Sequence, residues 1–192
     1  MLPFRRPVLR QHRHFPFLHT FAAMNIVTQL DAIAQAAGEK EAENQSFKAF
    51  LRAQEPAAVD QLVQELDAAI TPQIDCTSCG NCCRSLMINV TAEEVTGLAN
   101  LLNRSEADVK EQYIETGSGS GNMVMNTIPC HFLDNNCCSI YEHRFTECRE
   151  FPGLHQPNFT GRLFAMLMHY GRCLIIYNVL EEMKKRLAFN ME

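Results

Sequence analysis

Apolar positions recur at helical spacing near both ends of the chain. Ile26, Leu30, Ile33 and Ala37 share one face, which predicts a helix over 24–37 stopped by Gly38. Phe47, Phe50 and Leu51 mark a second helical turn or two. Pro56 stands where a helix start tolerates it, and Val59, Leu62, Val63, Leu66 and Ile70 form a stripe that Thr71-Pro72 ends. Residues 24–70 therefore read as two or three helices, each with one apolar face to bury. Toward the C-terminus, 162–170 and 173–189 are amphipathic. The second carries Ile176, Leu180, Met183 and Leu187 on one side. Lys184, Lys185 and Arg186 lie near its end, where cations suit the helix dipole.

The middle is less regular. Thr91-Ala-Glu-Glu94 is a capping box, which opens a helix with Val95, Leu98, Ala99 and Leu102 inward. Ser105-Glu-Ala-Asp108 signals another start, followed by Val109, Tyr113 and Ile114. The Gly/Ser stretch 116–122 reads as a flexible loop and Met123-Val-Met125 as a short strand. Residues 76–83 and 130–152 read as loops. The predicted fold class is mainly α, with an irregular cysteine-rich centre surrounded by helices and few or no short strands. Its parts are a leader (1–23), an N-terminal helical segment (24–72) and a cysteine domain (73–190).

Composition narrows the class of partner. The 192 residues are 46% hydrophobic and 20% charged, enough for one domain with a real core. No apolar run approaches the ~18–20 residues that span a membrane, and no membrane partner is expected. The net charge of −5 argues against nucleic acid. That charge is a sum of unlike parts. The first 23 residues carry Arg5, Arg6, Arg10 and Arg13, with His12, His14 and His19 and no acid. They lack the continuous apolar stretch of a secretory signal and read as an unstructured leader, or as sequence upstream of a start at Met24. From Met24 onward 13 basic residues face 22 acidic ones, a net −9. Without an export signal, a cytoplasmic location and reduced cysteines are expected.

Nine cysteines then become the main chemical feature, all between Cys76 and Cys173. Cys76-x2-Cys79-x2-Cys82-Cys83 places four thiols in eight residues, with Gly80 inside the run. Two intervening residues let a tight turn aim both thiolates at one metal. Buried structural cysteines are usually scattered singly. The vicinal pair Cys82-Cys83 serves one tetrahedral ion awkwardly, so the two could ligate different ions or two atoms of one cluster. Cys130, Cys137, Cys138 and Cys148 form a second group, and Cys173 precedes the last helix. Thiolates at this density need a cation, so metal binding and folding should be coupled.

This pattern, continued by Cys130-His-Phe-Leu, Cys138-Ser-Ile-Tyr-x2-Arg144 and Cys148-Arg149-x-Phe151-Pro152, resembles the YkgJ-type cysteine cluster family over about residues 74–189. The resemblance implies chelation of zinc or iron. Carried over by position, it implies Cys76, Cys79, Cys82, Cys83, Cys130, Cys138, Cys148 and Cys173 as ligands. The chain departs from the family pattern twice. Phe145 stands where the family usually has Pro, and Cys137 is extra, leaving open which of Cys137 and Cys138 binds. Arg144 and Arg149 would donate to or neutralise the thiolates, or else pair with Glu142, Glu147 or Glu150. The Tyr141 hydroxyl would reach a sulfur, or its ring would simply pack. His131 and His143 flank ligands and are solvated by default. His155 and His169 are taken as structural, and Met123, Met125, Met166, Met168 and Met183 as core.

The function expected is a cysteine-cluster protein binding zinc or an iron–sulfur cluster. The alternative is an iron–sulfur-dependent enzyme similar to flagellin lysine N-methylases or oxidoreductases, although no methyl-donor site or electron-partner motif is visible. A protein partner could dock on the helices of 24–70 if their apolar stripe were exposed.

Overall fold

The structure is a computed structural model that describes residues 24–119 and 121–190. The basic leader expected over 1–23 lies outside the described residues.

The predicted first helix starts later and ends later than its apolar spacing suggests. Residues 24–29 are not helical, and α1 spans Leu30–Glu39, through Gly38. The reason is a distant partner. Asn178 takes the Val27 amide on Oδ1 at 2.9 Å and donates Nδ2 to the Val27 carbonyl at 2.8 Å. These bonds hold the Val27 peptide groups outside any helix. α2 (Glu41–Arg52) follows at once. α3 (Pro56–Ile70) opens with Pro at its start and Glu55 accepting from the Ala57 and Ala58 amides. A single 3-10 turn, Thr71–Gln73, closes this part.

Residues 76–83, expected as loop, fold instead into two minimal helices, α4 (Cys76–Cys79) and α5 (Asn81–Ser85). Asp75 caps the first through the Thr77 amide at 2.9 Å, and Gly80 at φ +59° turns the chain between them. Then come β1 (Asn89–Val90), α6 (Ala92–Leu102) and α7 (Glu106–Tyr113). The predicted capping box of Thr91 with Glu94 is present, and the predicted helix start at Ser105 is a second one, with Asp108. β2 (Ile114–Thr116) and β3 (Met123–Met125) pair antiparallel as the two arms of a hairpin. β1 adds on the other side of β3.

Residues 130–152 contain more structure than expected. β4 (Leu133–Asp134) and β5 (Cys137–Cys138) make a two-residue hairpin around Asn135 and Asn136, both at positive φ. α8 spans Thr146–Glu150, α9 Phe159–Met168 and α10 Leu174–Arg186. The outcome is mainly α, with short strands confined to two small sheets.

Two hydrophobic cores divide the described residues. The first joins α1–α3 to α9 and α10, with Phe47, Leu66, Phe159, Tyr170, Ile176 and Leu180 fully buried. Every residue from Leu174 to Leu180 is buried, as befits a helix enclosed on all sides. Asp60 on α3 fixes α9 by accepting the Asn158 and Phe159 amides, each at 2.8 Å. The apolar stripe of 24–70 is therefore covered by the chain's own C-terminal helices. The second core gathers Ile88, Val90, Val95, Leu98, Val109, Met125, Phe132 and Phe145.

Candidate metal centre

Three sets of hydrogen bonds bring the cysteine segments together. The Cys130 amide donates to the Cys83 carbonyl at 2.8 Å. Arg84 reaches from α5 to the Asn136 side chain and donates to the Cys79 carbonyl at 3.1 Å. Asn81 donates to the Arg172 carbonyl at 2.7 Å, drawing in the segment that ends at Cys173. Gly80 is required at the crossing. A Cβ there would lie 2.7 Å from the Asn136 carbonyl oxygen, a contact no side chain makes, and the positive φ adds to the cost.

These connections frame one cavity of about 370 Å³ at the seam between the two cores. Cys76, Cys82, Cys83, Cys130, Cys138 and Cys148 line it. Cys79 packs on the helical core, and Cys173 is buried in that core at the N-terminus of α10. Neither lines the cavity, yet Cys79 acts electrostatically on Cys76, and Cys76 and Cys82 act on Cys173. Cys137 stands apart. It is exposed, and its thiol donates to the Thr77 carbonyl at 3.5 Å. The hairpin register separates the neighbours, because successive side chains on a strand point to opposite faces.

The thiols perturb one another. The Cys83 thiol donates to Cys82, which pulls Cys82 down to about 6 and pushes Cys83 up. Burial pushes Cys148 to about 12, with Cys130, Cys82 and Cys138 adding repulsion. Burial likewise raises Cys76 and Cys130. It raises Cys173 to about 12 against the pull of the Ile176 and Ile175 amides. Burial of thiols that repel each other is the environment a soft cation relieves, so the donor set fits zinc or an iron–sulfur cluster. Among the described residues no three His, Cys, Asp or Glu side chains are grouped to hold an ion as they stand. Closure on one ion therefore requires cysteine side chains to rotate.

Residues 75–164 match a family model named CxxCxxCC, described as "Putative zinc- or iron-chelating domain". The matched segment contains every cysteine of the chain except Cys173, which lies beyond its end. No curated protein and no solved structure matches the chain.

Of the cationic residues in the matched segment, Arg162 and Arg144 line the cavity, and the charge of Arg144 lowers the proton affinity of Cys76, Cys82 and Cys148. The Arg144 guanidinium lies 3.6 Å from the Tyr141 ring centre, and Nε donates to the Tyr141 carbonyl at 3.0 Å. Tyr141 thus supports the arginine through its ring and backbone. Arg149 is outside the cavity lining and holds the Arg144 carbonyl and the Thr146 hydroxyl. Among the described residues neither arginine pairs with Glu142, Glu147 or Glu150.

His131 bonds Asn126 at 2.8 Å and packs edge-on to Tyr113, and neither it nor His143 lines the cavity. Met125 and Met166 are both core residues and cavity wall, whereas Met168, expected as core, is 52% exposed. Phe145, the departure from the family's Pro, is buried with Phe132 at a ring distance of 6.4 Å. His169, taken from the sequence as structural, lines the cavity, and its buried Nδ1 has no hydrogen-bond partner among the described residues. Only the return of α9 brings it there. The Asn135-Asn136 hairpin had a readable signal, two residues suited to positive φ between paired segments.

Among the described residues no helix is long and apolar enough to cross a membrane.

Proposed function

We propose that the protein binds zinc or an iron–sulfur cluster through Cys76, Cys79, Cys82, Cys83, Cys130, Cys138, Cys148 and Cys173. One observation carries this reading: six of these thiols line one cavity and Cys79 and Cys173 interact with them, while the ninth, Cys137, is turned out to Thr77. Cys82 stands at the centre of the mutual influence: it acts on Cys76, Cys83, Cys130, Cys148 and Cys173, while Cys130 and Cys138 act on both Cys83 and Cys148. On this reading the thiols form one connected group, and Cys138, not Cys137, is the ligand. Arg144 neutralises part of the thiolate charge, and Arg149 positions it.

The bound metal would supply soft-acid chemistry and the cation that stabilises the thiolates. The test is anaerobic purification followed by metal and acid-labile sulfide analysis and an absorption spectrum. Stoichiometric zinc without colour identifies a zinc centre, and iron with sulfide and visible absorption identifies a cluster. A folded protein carrying neither metal overturns the proposal.

A further inference from the structure

The cavity is larger than its thiols need. At about 370 Å³ it falls in the size range of small-molecule sites, roughly 300–1,000 Å³. Away from the sulfurs its walls are apolar, formed by Leu86, Ile88, Met125, Ile140, Phe151 and Met166. Its charged groups are mostly spent. Both oxygens of Glu147 accept from Asn89, at 2.7 and 2.8 Å. Glu150 accepts from Gln156 at 3.1 Å. Arg162 donates to the carbonyls of Gly153, Gln156 and Pro157.

Arg144 differs. Nε is bound to the Tyr141 carbonyl and the plane is braced on the Tyr141 ring, but no hydrogen bond or ion pair among the described residues engages its two terminal nitrogens. A braced guanidinium with free terminal donors is a fork suited to a carboxylate. We propose that this cavity binds a small carboxylic acid with an apolar body, its carboxylate on the Arg144 fork and its chain along the Met125–Met166 wall. The inference goes beyond metal binding and does not require it. A single available cation, with Glu147 and Glu150 in the same wall, favours one monoanionic head over a phosphate dianion.

The test uses the absence of tryptophan from the sequence. Met87 lines the cavity and is half exposed, so Met87→Trp places a lone tryptophan at its rim. Sodium octanoate titrated into the full chain should shift that emission saturably, and octanol should shift it only at much higher concentration. Adding Arg144→Gln should raise the half-saturating octanoate concentration at least tenfold and leave the octanol titration unchanged. Arg144→Lys, which keeps the charge and loses the fork, should fall between. An octanoate titration identical in Arg144→Gln, equal to that of octanol, or without any shift overturns the proposal. Metal content measured on the same samples keeps the two ideas apart. With Arg144 intact, octanoate binding to Met87→Trp protein without metal sinks the metal reading alone, and no octanoate binding to Met87→Trp protein that retains metal sinks this one alone.

Discussion

The helical core and the cysteine region differ in how much of their structure each segment can hold by itself. α3 and α10 are 15 and 13 residues long and meet over fully buried apolar side chains. α4 has four residues, α5 five, and β1, β4 and β5 two each. Isolated helices under ~12–15 residues are marginal even in favourable sequences. Elements this short persist only through what they touch. In the helical core that partner is apolar surface. Around the cysteines it is a few backbone hydrogen bonds, one crossing at Gly80 and, on the proposal above, metal. The contrast explains why a stripe of hydrophobic residues suffices at the chain ends while the middle concentrates thiols.

Metal removal should separate the two regions most sharply. A tight chelator, or Cys82→Ser with Cys83→Ser, should cost many kcal/mol where folding and ligation are coupled, with structural zinc worth on the order of 10 kcal/mol. Amide hydrogen exchange should show protection lost across 76–90 and 130–150 and kept in α3 and α10. Uniform loss across the chain would mean that the two cores are not separable.

Leu66→Ala strikes the other region. Leu66 is 1% exposed in the helical core, so truncation should cost about 2–5 kcal/mol in denaturant unfolding. Metal per folded molecule should be unchanged. A fall in stoichiometry at full folding would show that the helical core shapes the thiol site.

Two glycine substitutions compare the regions at equal chemistry. Gly80→Ala places Cβ against the Asn136 carbonyl at positive φ and should cost about 2 kcal/mol or more, with weaker metal retention. Gly38→Ala meets nothing within 4 Å inside α1 and should stabilise by about 0.5–1 kcal/mol. Equal thermal shifts from the two would contradict the close approach at Gly80.

The smallest expected effect is the acid limb of stability. In the helical core burial raises the Glu181 carboxyl, but Lys184, Lys40 and Tyr170 outweigh it, and the net pKa is lowered. A depressed carboxyl contributes stability above its unfolded pKa, about 4.3, and loses it as pH falls through the lower folded value. Glu181→Gln should flatten the dependence of unfolding on pH below about 5. Metal release should track proton competition for the thiolates and be unaffected by that substitution.

Local chemistry was legible in the sequence. Thr91 with Glu94 and Ser105 with Asp108 form capping boxes because every atom of such a box lies within four residues. The stripe Val59 to Ile70 gave α3 for the same reason, since its periodicity belongs to one helix. The segment 24–29 was not legible. Ile26 fits a helical register, but Asn178, some 150 positions away, claims the Val27 backbone. Residues 76–83 looked like loop because their helices are shorter than any periodic signal.

The sequence alone determined that eight or nine thiols cluster in one part of the chain and that their spacing suits soft-metal ligation, since ligand type and spacing are written residue by residue. Tertiary structure alone decided which of them meet. The Leu133–Cys138 register turns Cys138 to the cavity and Cys137 out to Thr77. The return of α9 and α10 brings His169 to the wall and Cys173 within electrostatic reach of Cys76. A side chain's facing depends on pairing across the fold, and pairing depends on apolar surface far along the chain finding its complement.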